Sequence, residues 1–319
     1  MPLLPPDPVF CLKQDMGHVH SMSFTKINND YTSQLLAATE KGDVFFWDLE
    51  TNRLQHKQRM GESIQTIHSV EYDIITQEKS GLVKLWSIEN NTGYKVQKTF
   101  QCYGGFCKSV ILENQQLILP GENSVIDVVD VDNFENVKKF VPDKEKLGNV
   151  MCLQPIEIRR GRFLLAGYAT GDIILFDYNT EKQCGHLKLN EFLTSLTFDP
   201  FTCRGVVANA SNALQVFGID PECLRMELKC ELALTNQGCN VVKFRPDRKL
   251  LFAGGWDGRL RVFSWKTLRA LVVLTEHKKA ISDIQFSPHR VRLWDSNIIA
   301  ASGEDGLISL WNVYHNYTY

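Results

Sequence analysis

The chain has 319 residues, of which 44% are hydrophobic and 23% charged, values ordinary for a globular protein. Its 35 basic and 37 acidic residues leave a formal net charge of −2, which provides no general attraction to nucleic acid or anionic lipid. No apolar run is long enough to span a bilayer, and the proline-rich start, residues 1–8, lacks the features of a signal peptide. The nine cysteines are irregularly spaced, so we expect reduced thiols rather than a disulfide framework.

One short pattern recurs along the chain: a glycine, apolar residues at alternate positions, an aromatic residue and a small polar one. Five clear copies and two weaker ones are Gly42–Asp48, Gly81–Ser87, Gly171–Asp177, Gly258–Ser264 and Gly306–Asn312, with Ser124–Asp130 and Asn212–Gly218. The aromatic positions of the first and last copies, Trp47 and Trp311, lie six repeats apart, a mean spacing of about 44 residues. This period is typical of propeller blades.

Each copy follows further strand-like runs, so we assign four strands to each repeat. The inner runs are His20–Phe24, Ser63–Val70, Lys108–Leu112, Val150–Pro155, Leu193–Phe198, Asn240–Phe244 and Ala280–Phe286. Alternation places one set of side chains on one sheet face, and the glycine permits a positive φ after a tight turn. The sequence therefore predicts an all-β fold, a seven-bladed β-propeller formed by residues 1–319 as a single domain.

The last repeat ends at Asn312, so its blade lacks an outer strand from its own segment. The run Val9–Lys13 precedes the first inner strand and has no blade of its own. We expect this N-terminal strand to complete the last blade, which closes the ring of blades and removes exposed sheet edges.

Blades of this type often contain a polar tetrad of His, Ser or Thr, Asp and Trp, and here the tetrad is eroded. In the first blade, Lys41 stands where the Asp belongs. The seventh blade offers His277, Asp305 and Trp311, but Gly303 stands at the hydroxyl position on the second strand. The third and fifth blades have lost both the glycine and the tryptophan, and we expect them to be the least stable.

Motifs for catalysis are absent from the sequence: it contains neither a phosphate-binding P-loop nor a Gly-x-Ser-x-Gly nucleophile elbow. His18 and His20 are two residues apart on a strand and could share a metal, but no third ligand stands out. We interpret them as histidines at the start of a blade. The expectation is a non-enzymatic protein without a cofactor or a metal.

Several motifs go beyond a generic propeller and run along nearly the whole chain. They include Pro5–Phe10, Gly105–Ser109, Leu119–Gly121, Leu164–Tyr168, Arg245–Lys249, Gly255–Asp257, Arg261–Phe263 and Ile308–Trp311. Together they resemble the guanine nucleotide-binding protein β-subunit-like protein 1 group of WD40 proteins, related to the fungal ASTRA-associated protein 1. The resemblance implies a scaffold that does not couple to heterotrimeric G proteins. It also implies protein partners: phosphatidylinositol-3-kinase-related kinases and their co-chaperone complex, and so DNA-damage signalling in cytoplasm and nucleus.

Candidate partner-binding residues lie at turns and loops between predicted strands. Trp256 at a turn is either an exposed anchor or packed against a neighbouring blade. Trp294, within the insertion Pro288–Asn297, belongs either to a surface loop packed on its own blade or to a partner-binding protrusion. The full set is Trp256, Asp257, Phe106, Cys107, His277, Asp305, Lys41 and Trp294.

Three other functions stay open. A chromatin-associated propeller would grip a peptide at its central channel, for which an aromatic cage or acidic ring would be expected. A G-protein β-type subunit usually carries a helical N-terminal extension, whereas this chain begins with prolines and enters a strand by Val9. An enzyme hosted in a propeller has no support beyond the versatility of the fold. Direct binding of nucleic acid, membrane or small-molecule substrate is not expected.

Overall fold

Alternating apolar residues produce seven four-stranded antiparallel sheets in a computed structural model, which describes residues 5–28, 31–89, 93–159 and 161–314. Residues 1–4 of the proline-rich start lie outside the described residues. The fold is all-β and is a seven-bladed β-propeller, as the repeat predicts. Its helices, within the same described ranges, are two three-residue 3-10 turns, Glu122–Ser124 and Arg292–Trp294, and no helix there is long and apolar enough to cross a membrane.

The strands of the first four blades have the following bounds. Strand β1 (Phe10–Lys13) precedes blade one, which contains β2 (Val19–Asn28), β3 (Tyr31–Thr39), β4 (Asp43–Asp48) and β5 (Arg53–Arg59). Blade two contains β6 (Ile64–Val70), β7 (Asp73–Glu78), β8 (Leu82–Glu89) and β9 (Gly93–Gln101). Blade three contains β10 (Val110–Ile111), β11 (Gln116–Pro120), β12 (Ile126–Asp130) and β13 (Asn136–Phe140). Blade four contains β14 (Val150–Ile158), β15 (Gly161–Tyr168), β16 (Asp172–Asp177) and β17 (Gln183–Lys188).

The remaining blades follow in chain order. Blade five contains β18 (Leu193–Asp199), β19 (Arg204–Asn209), β20 (Ala213–Ile219) and β21 (Met226–Ala233). Blade six contains β22 (Cys239–Phe244), β23 (Leu250–Gly255), β24 (Leu260–Ser264) and β25 (Ala270–Leu274). Blade seven contains β26 (Ile281–Phe286), β27 (Ile299–Gly303) and β28 (Leu307–Trp311), with β1 as its outer strand.

The N-terminal strand completes the last blade, as expected. Strand β1 pairs antiparallel with β28, with Phe10 opposite Leu310 and Lys13 opposite Leu307. Leu12 is fully buried and packs in the same apolar cluster as Ile308 and Leu310. The pairing therefore combines backbone hydrogen bonds with a buried side chain between the two ends of the chain.

The chain divides into two compact units. The first comprises Met1–Lys79, Val83–Lys98 and Lys243–Tyr319, and contains blades one and seven with most of blades two and six. The second comprises Ser80–Leu82 and Thr99–Val242, and contains blades three, four and five. The single domain expected from the sequence stays a prediction.

Turn glycines have the predicted backbone conformation. The glycines that begin the five clear repeats all have positive φ, from 71° at Gly306 to 91° at Gly81. At Gly42 a Cβ atom would lie 1.9 Å from the carbonyl oxygen of Gly61, so no other residue fits there without moving the backbone. In blade three Ser124 takes this position with a φ of 68°, a region that side chains other than glycine rarely adopt.

The insertion 288–297 lies along blade one. The backbone N–H of Thr32 donates to the carbonyl of Arg290 at 2.9 Å, and the Thr32 hydroxyl donates to the carbonyl of His289 at 3.1 Å. Trp294 is partly buried and packs against an apolar cluster to which blades one and seven both contribute. The loop thus joins two neighbouring blades of the first unit.

Candidate protein-interaction surfaces

Trp256 lies at the tip of the turn between β23 and β24, and 42% of its surface is exposed. The next residue, Asp257, braces this turn through a bidentate ion pair with Arg261, with N–O distances of 3.1 and 2.7 Å. Burial raises the pKa of the Asp257 carboxyl, but hydrogen bonds from Arg261 and Arg259 lower this pKa by a larger amount. The pKa of Asp257 is therefore below its ordinary value. The sequence leaves the exposure of Trp256 open, and the structure shows the residue partly exposed on a turn that this ion pair holds.

His277 and Asp305 belong to a buried hydrogen-bond network of blade seven. His277 Nδ1 lies 3.1 Å from Asp305 Oδ1, and His277 Nε2 lies 2.8 Å from Ser309 Oγ. The Trp311 indole N–H donates to the same Ser309 oxygen at 2.7 Å. The His277 side chain is only 1% exposed, so its polar atoms are used inside the protein.

Ser309 is not predicted from the sequence, because the hydroxyl of the tetrad is expected on the second strand, where Gly303 stands. The structure supplies that hydroxyl from β28, two residues before Trp311 on the same strand. Residues two apart on a strand face the same side, and this spacing is the signal that could have found it. The tetrad of blade seven is therefore complete, contrary to the expected erosion.

Lys41 is exposed in the turn between β3 and β4, beside the start of blade one. Its neighbour Glu40 donates a backbone hydrogen bond to the carbonyl of His18 at 2.9 Å. The side chains of His18, His20 and Glu40 form a group that could hold a metal ion, and Glu40 is the candidate third ligand that did not stand out in the sequence. The histidines lie at the start of β2, whereas Glu40 follows the end of β3. The antiparallel pairing of β2 with β3 brings Glu40 close to them.

Two adjacent residues of the loop between β9 and β10 face opposite ways. Phe106 is 60% exposed, whereas Cys107 is 1% exposed and packs in an apolar cluster with Leu147 and Tyr168. Burial raises the pKa of the Cys107 thiol well above its ordinary value, so this thiol is protonated and unreactive at neutral pH. Of this pair, Phe106 is the residue that a partner can reach.

A pocket of about 480 Å³ lies in the second unit beside this loop. Its lining includes Phe100, Tyr103, Glu122 and Asp127. Tyr103 is 39% exposed, so the lining combines aromatic surface with two carboxylates. Such a surface suits a partner segment that brings both an apolar and a basic side chain.

Two segments, 228–264 and 268–312, match the family model described as "WD domain, G-beta repeat". Each segment runs from the outer strand of one blade through the first three strands of the next. These two segments are therefore similar to WD40 repeats and lie within the seven-bladed β-propeller, and the matched model is a repeat model rather than that of a catalytic family.

The chain is also similar to individual known proteins. The chain is 27% identical to Guanine nucleotide-binding protein subunit beta-like protein 1 of Mus musculus, over 97% of each protein. It is 42% identical to ASTRA-associated protein 1 of Schizosaccharomyces pombe over 24% of this chain and 19% of that protein. It is also 22% identical to WD repeat-containing protein 91 of Danio rerio, over 58% of this chain and 28% of that protein. The chain thus matches under a third of the length of the last two.

Proposed function

We propose that this protein is a non-enzymatic WD40 adaptor that assists the co-chaperone-dependent maturation or stability of phosphatidylinositol-3-kinase-related kinases. In this role it acts in DNA-damage signalling, in the cytoplasm and nucleus. The fold supports the scaffold part of the proposal, because WD40 propellers present turns and loops from a rigid framework for binding other proteins.

The observation that carries the proposal is the combined similarity to two kinds of relative. The similarity to the mouse β-subunit-like protein extends over 97% of both chains. The name of the fission-yeast relative places that protein in association with ASTRA, which supports a chaperone-related assembly as the context of this chain.

The loop containing Phe106 is the surface that we assign to partner binding. Large exposed aromatic side chains beside a pocket are typical anchors in protein interfaces. Phe106 and Tyr103 are both exposed, and Cys107 fixes the loop by burying its side chain next to Phe106. A partner can therefore cover Phe106 without first rearranging the loop core.

The carboxylates of the pocket specify the chemistry of the partner segment. Asp127 accepts a hydrogen bond from the Asn136 side chain at 3.0 Å, and Glu122 is exposed at the same pocket. A lysine or arginine of the partner would meet these oxygens, and an apolar residue of the same partner would cover Phe106. Trp256 is the second anchor to test, because its indole is exposed on a braced turn.

Affinity purification with quantitative mass spectrometry tests the proposal. We expect the wild-type protein to recover kinase and co-chaperone components, and Phe106→Ala to reduce their recovery at least tenfold, since a central interface anchor contributes about 2 kcal/mol or more. The matched control is Phe201→Ala, which removes a more exposed phenylalanine (86%) from the same unit, outside the pocket. Trp256→Ala is measured in parallel.

Two results would contradict the proposal in different ways. If the wild type recovers no kinase or co-chaperone component, the assigned function is wrong. If it recovers them and Phe106→Ala behaves like Phe201→Ala, the function stands but the assigned surface is wrong. Circular dichroism on each variant confirms that folding is unchanged.

A further inference from the structure

Two histidine rings meet at the start of blade one. His18 immediately precedes β2, and His20 is the second residue of that strand. His18 Nδ1 and His20 Nε2 lie 3.1 Å apart, and the rings are edge to face with centroids 4.1 Å apart. Glu40 brings a carboxylate oxygen to 3.9 Å from His18 Nδ1, and one ligand atom from each of the three residues lies within 4.8 Å of the others.

We propose that His18, His20 and Glu40 bind a zinc ion. Two imidazoles with one carboxylate is a ligand set that zinc uses, whereas magnesium and calcium prefer oxygen ligands alone. Zinc–ligand bonds of about 2.0–2.2 Å place tetrahedral ligand atoms about 3.3–3.5 Å apart. The separations of 3.1 and 3.9 Å at His18 Nδ1 bracket that value, so small side-chain movements bring these two pairs of atoms to it.

The outer nitrogens of both rings already have the partners that a zinc site requires. His20 Nδ1 lies 3.0 Å from the carbonyl oxygen of Ile64, which can only accept, so Nδ1 carries the proton and Nε2 of the neutral ring has its lone pair available as a ligand. His18 Nε2 lies 2.7 Å from the Ser282 hydroxyl, which can accept a hydrogen bond from it. Zinc-ligating histidines characteristically donate their other ring N–H in this way.

Binding requires one tautomer change and no change of fold. With zinc bound, the hydrogen bond between the two histidine rings is lost, and His18 carries its proton on Nε2, towards Ser282. His18 contacts Ser282 of blade seven and His20 contacts Ile64 of blade two, so two of the zinc ligands also hydrogen-bond to the neighbouring blades. Zinc therefore stabilises the folded first unit by mass action.

Calorimetric titration of the chelator-treated full chain with zinc chloride tests the site. We expect one zinc equivalent to bind at this site, an increase in the melting temperature, and at least a tenfold loss of affinity in Glu40→Gln. The matched control is Glu62→Gln, which makes the same charge change at another exposed glutamate and should leave the affinity unchanged. His20→Gln, checked for folding by circular dichroism, should also lose binding.

Free thiols are the competing source of zinc ligands, and X-ray absorption at the zinc edge distinguishes them. A first shell of nitrogen and oxygen supports the site, and a sulfur-containing shell overturns it. The proposal is also overturned if the wild type does not bind zinc, if Glu40→Gln binds as tightly as wild type, or if magnesium chloride binds equally well. These outcomes are independent of the proposed adaptor function.

Discussion

Blade seven contains a connected set of hydrogen bonds from Asp305 through His277 and Ser309 to Trp311, whereas blade three has neither histidine nor tryptophan in residues 101–150. Blade three is filled instead by apolar side chains around Phe140, which is fully buried. Both blades are four-stranded antiparallel sheets. The comparison shows that apolar side chains fill the interior of both blades and that blade seven adds a satisfied polar network to them.

Blade three also differs in its inner strand and its turn. Its inner strand β10 has two residues, and the turn before β12 places Ser124 at a positive φ. Fewer ladder hydrogen bonds and a strained turn leave apolar burial as the main stabilising contribution there. The expectation that this blade is among the least stable stays a prediction, and the following variants examine both blades.

The largest effect is expected from Phe140→Ala in blade three. The side chain is fully buried, and its ring centroid lies 5.5 Å from that of Phe176. We expect the free energy of unfolding to fall by about 3–5 kcal/mol, because a cavity replaces a buried ring of an apolar cluster. Urea denaturation measures it, with the more exposed Val137→Ala on the same strand as control. If the free energy of unfolding falls by less than about 1 kcal/mol, apolar packing is not the main stabilising contribution in blade three.

A smaller effect is expected from Ser309→Ala in blade seven. The change leaves His277 Nε2 and the Trp311 indole N–H buried without their shared partner. We expect the free energy of unfolding to fall by about 1–3 kcal/mol, the usual effect of unsatisfied buried polar groups. Urea denaturation beside Thr51→Ala, which removes an exposed hydroxyl, provides the measurement. Equal stability of the two variants would show that the network contributes nothing.

The smallest effect on stability is expected from Asp305→Asn at acid pH. Burial raises the pKa of this carboxyl, but hydrogen bonds from His277 and from the Lys278 backbone lower it more, so the folded pKa is below the ordinary 3.8. Unfolding restores the ordinary pKa, so this carboxylate's stabilisation is complete above that value and is lost as the pH falls through the folded pKa. We expect Asp305→Asn to lose less stability than wild type on acidification below pH of about 4.

Urea denaturation at a series of pH values gives the free energy of unfolding as a function of pH for each variant, and the slopes of these curves are compared. Asp295→Asn, which changes a carboxylate that is 76% exposed, is the control and should keep the wild-type slope. Parallel curves for wild type and Asp305→Asn would contradict the assigned role of Asp305.

Exposure within the candidate surfaces was only partly predictable. Phe106 and Cys107 were equivalent candidates in the sequence, because a loop has no periodicity that separates buried from exposed side chains. The packing of Cys107 against Leu147 and Tyr168 depends on blade four, which lies far along the chain. The insertion containing Trp294 was equally undetermined, since its contacts are with Thr32 on blade one.

The amino-acid sequence alone determined the seven blades, their strands and the completion of the last blade by residues 10–13. Those features follow from alternation and turn glycines, which act over a few residues and repeat at a regular interval. Only the tertiary structure decided that Ser309 completes the tetrad of blade seven and that Glu40 approaches His18 and His20. The physical reason is that these contacts join side chains from separate strands, whose approach depends on sheet pairing and blade packing rather than on local pattern.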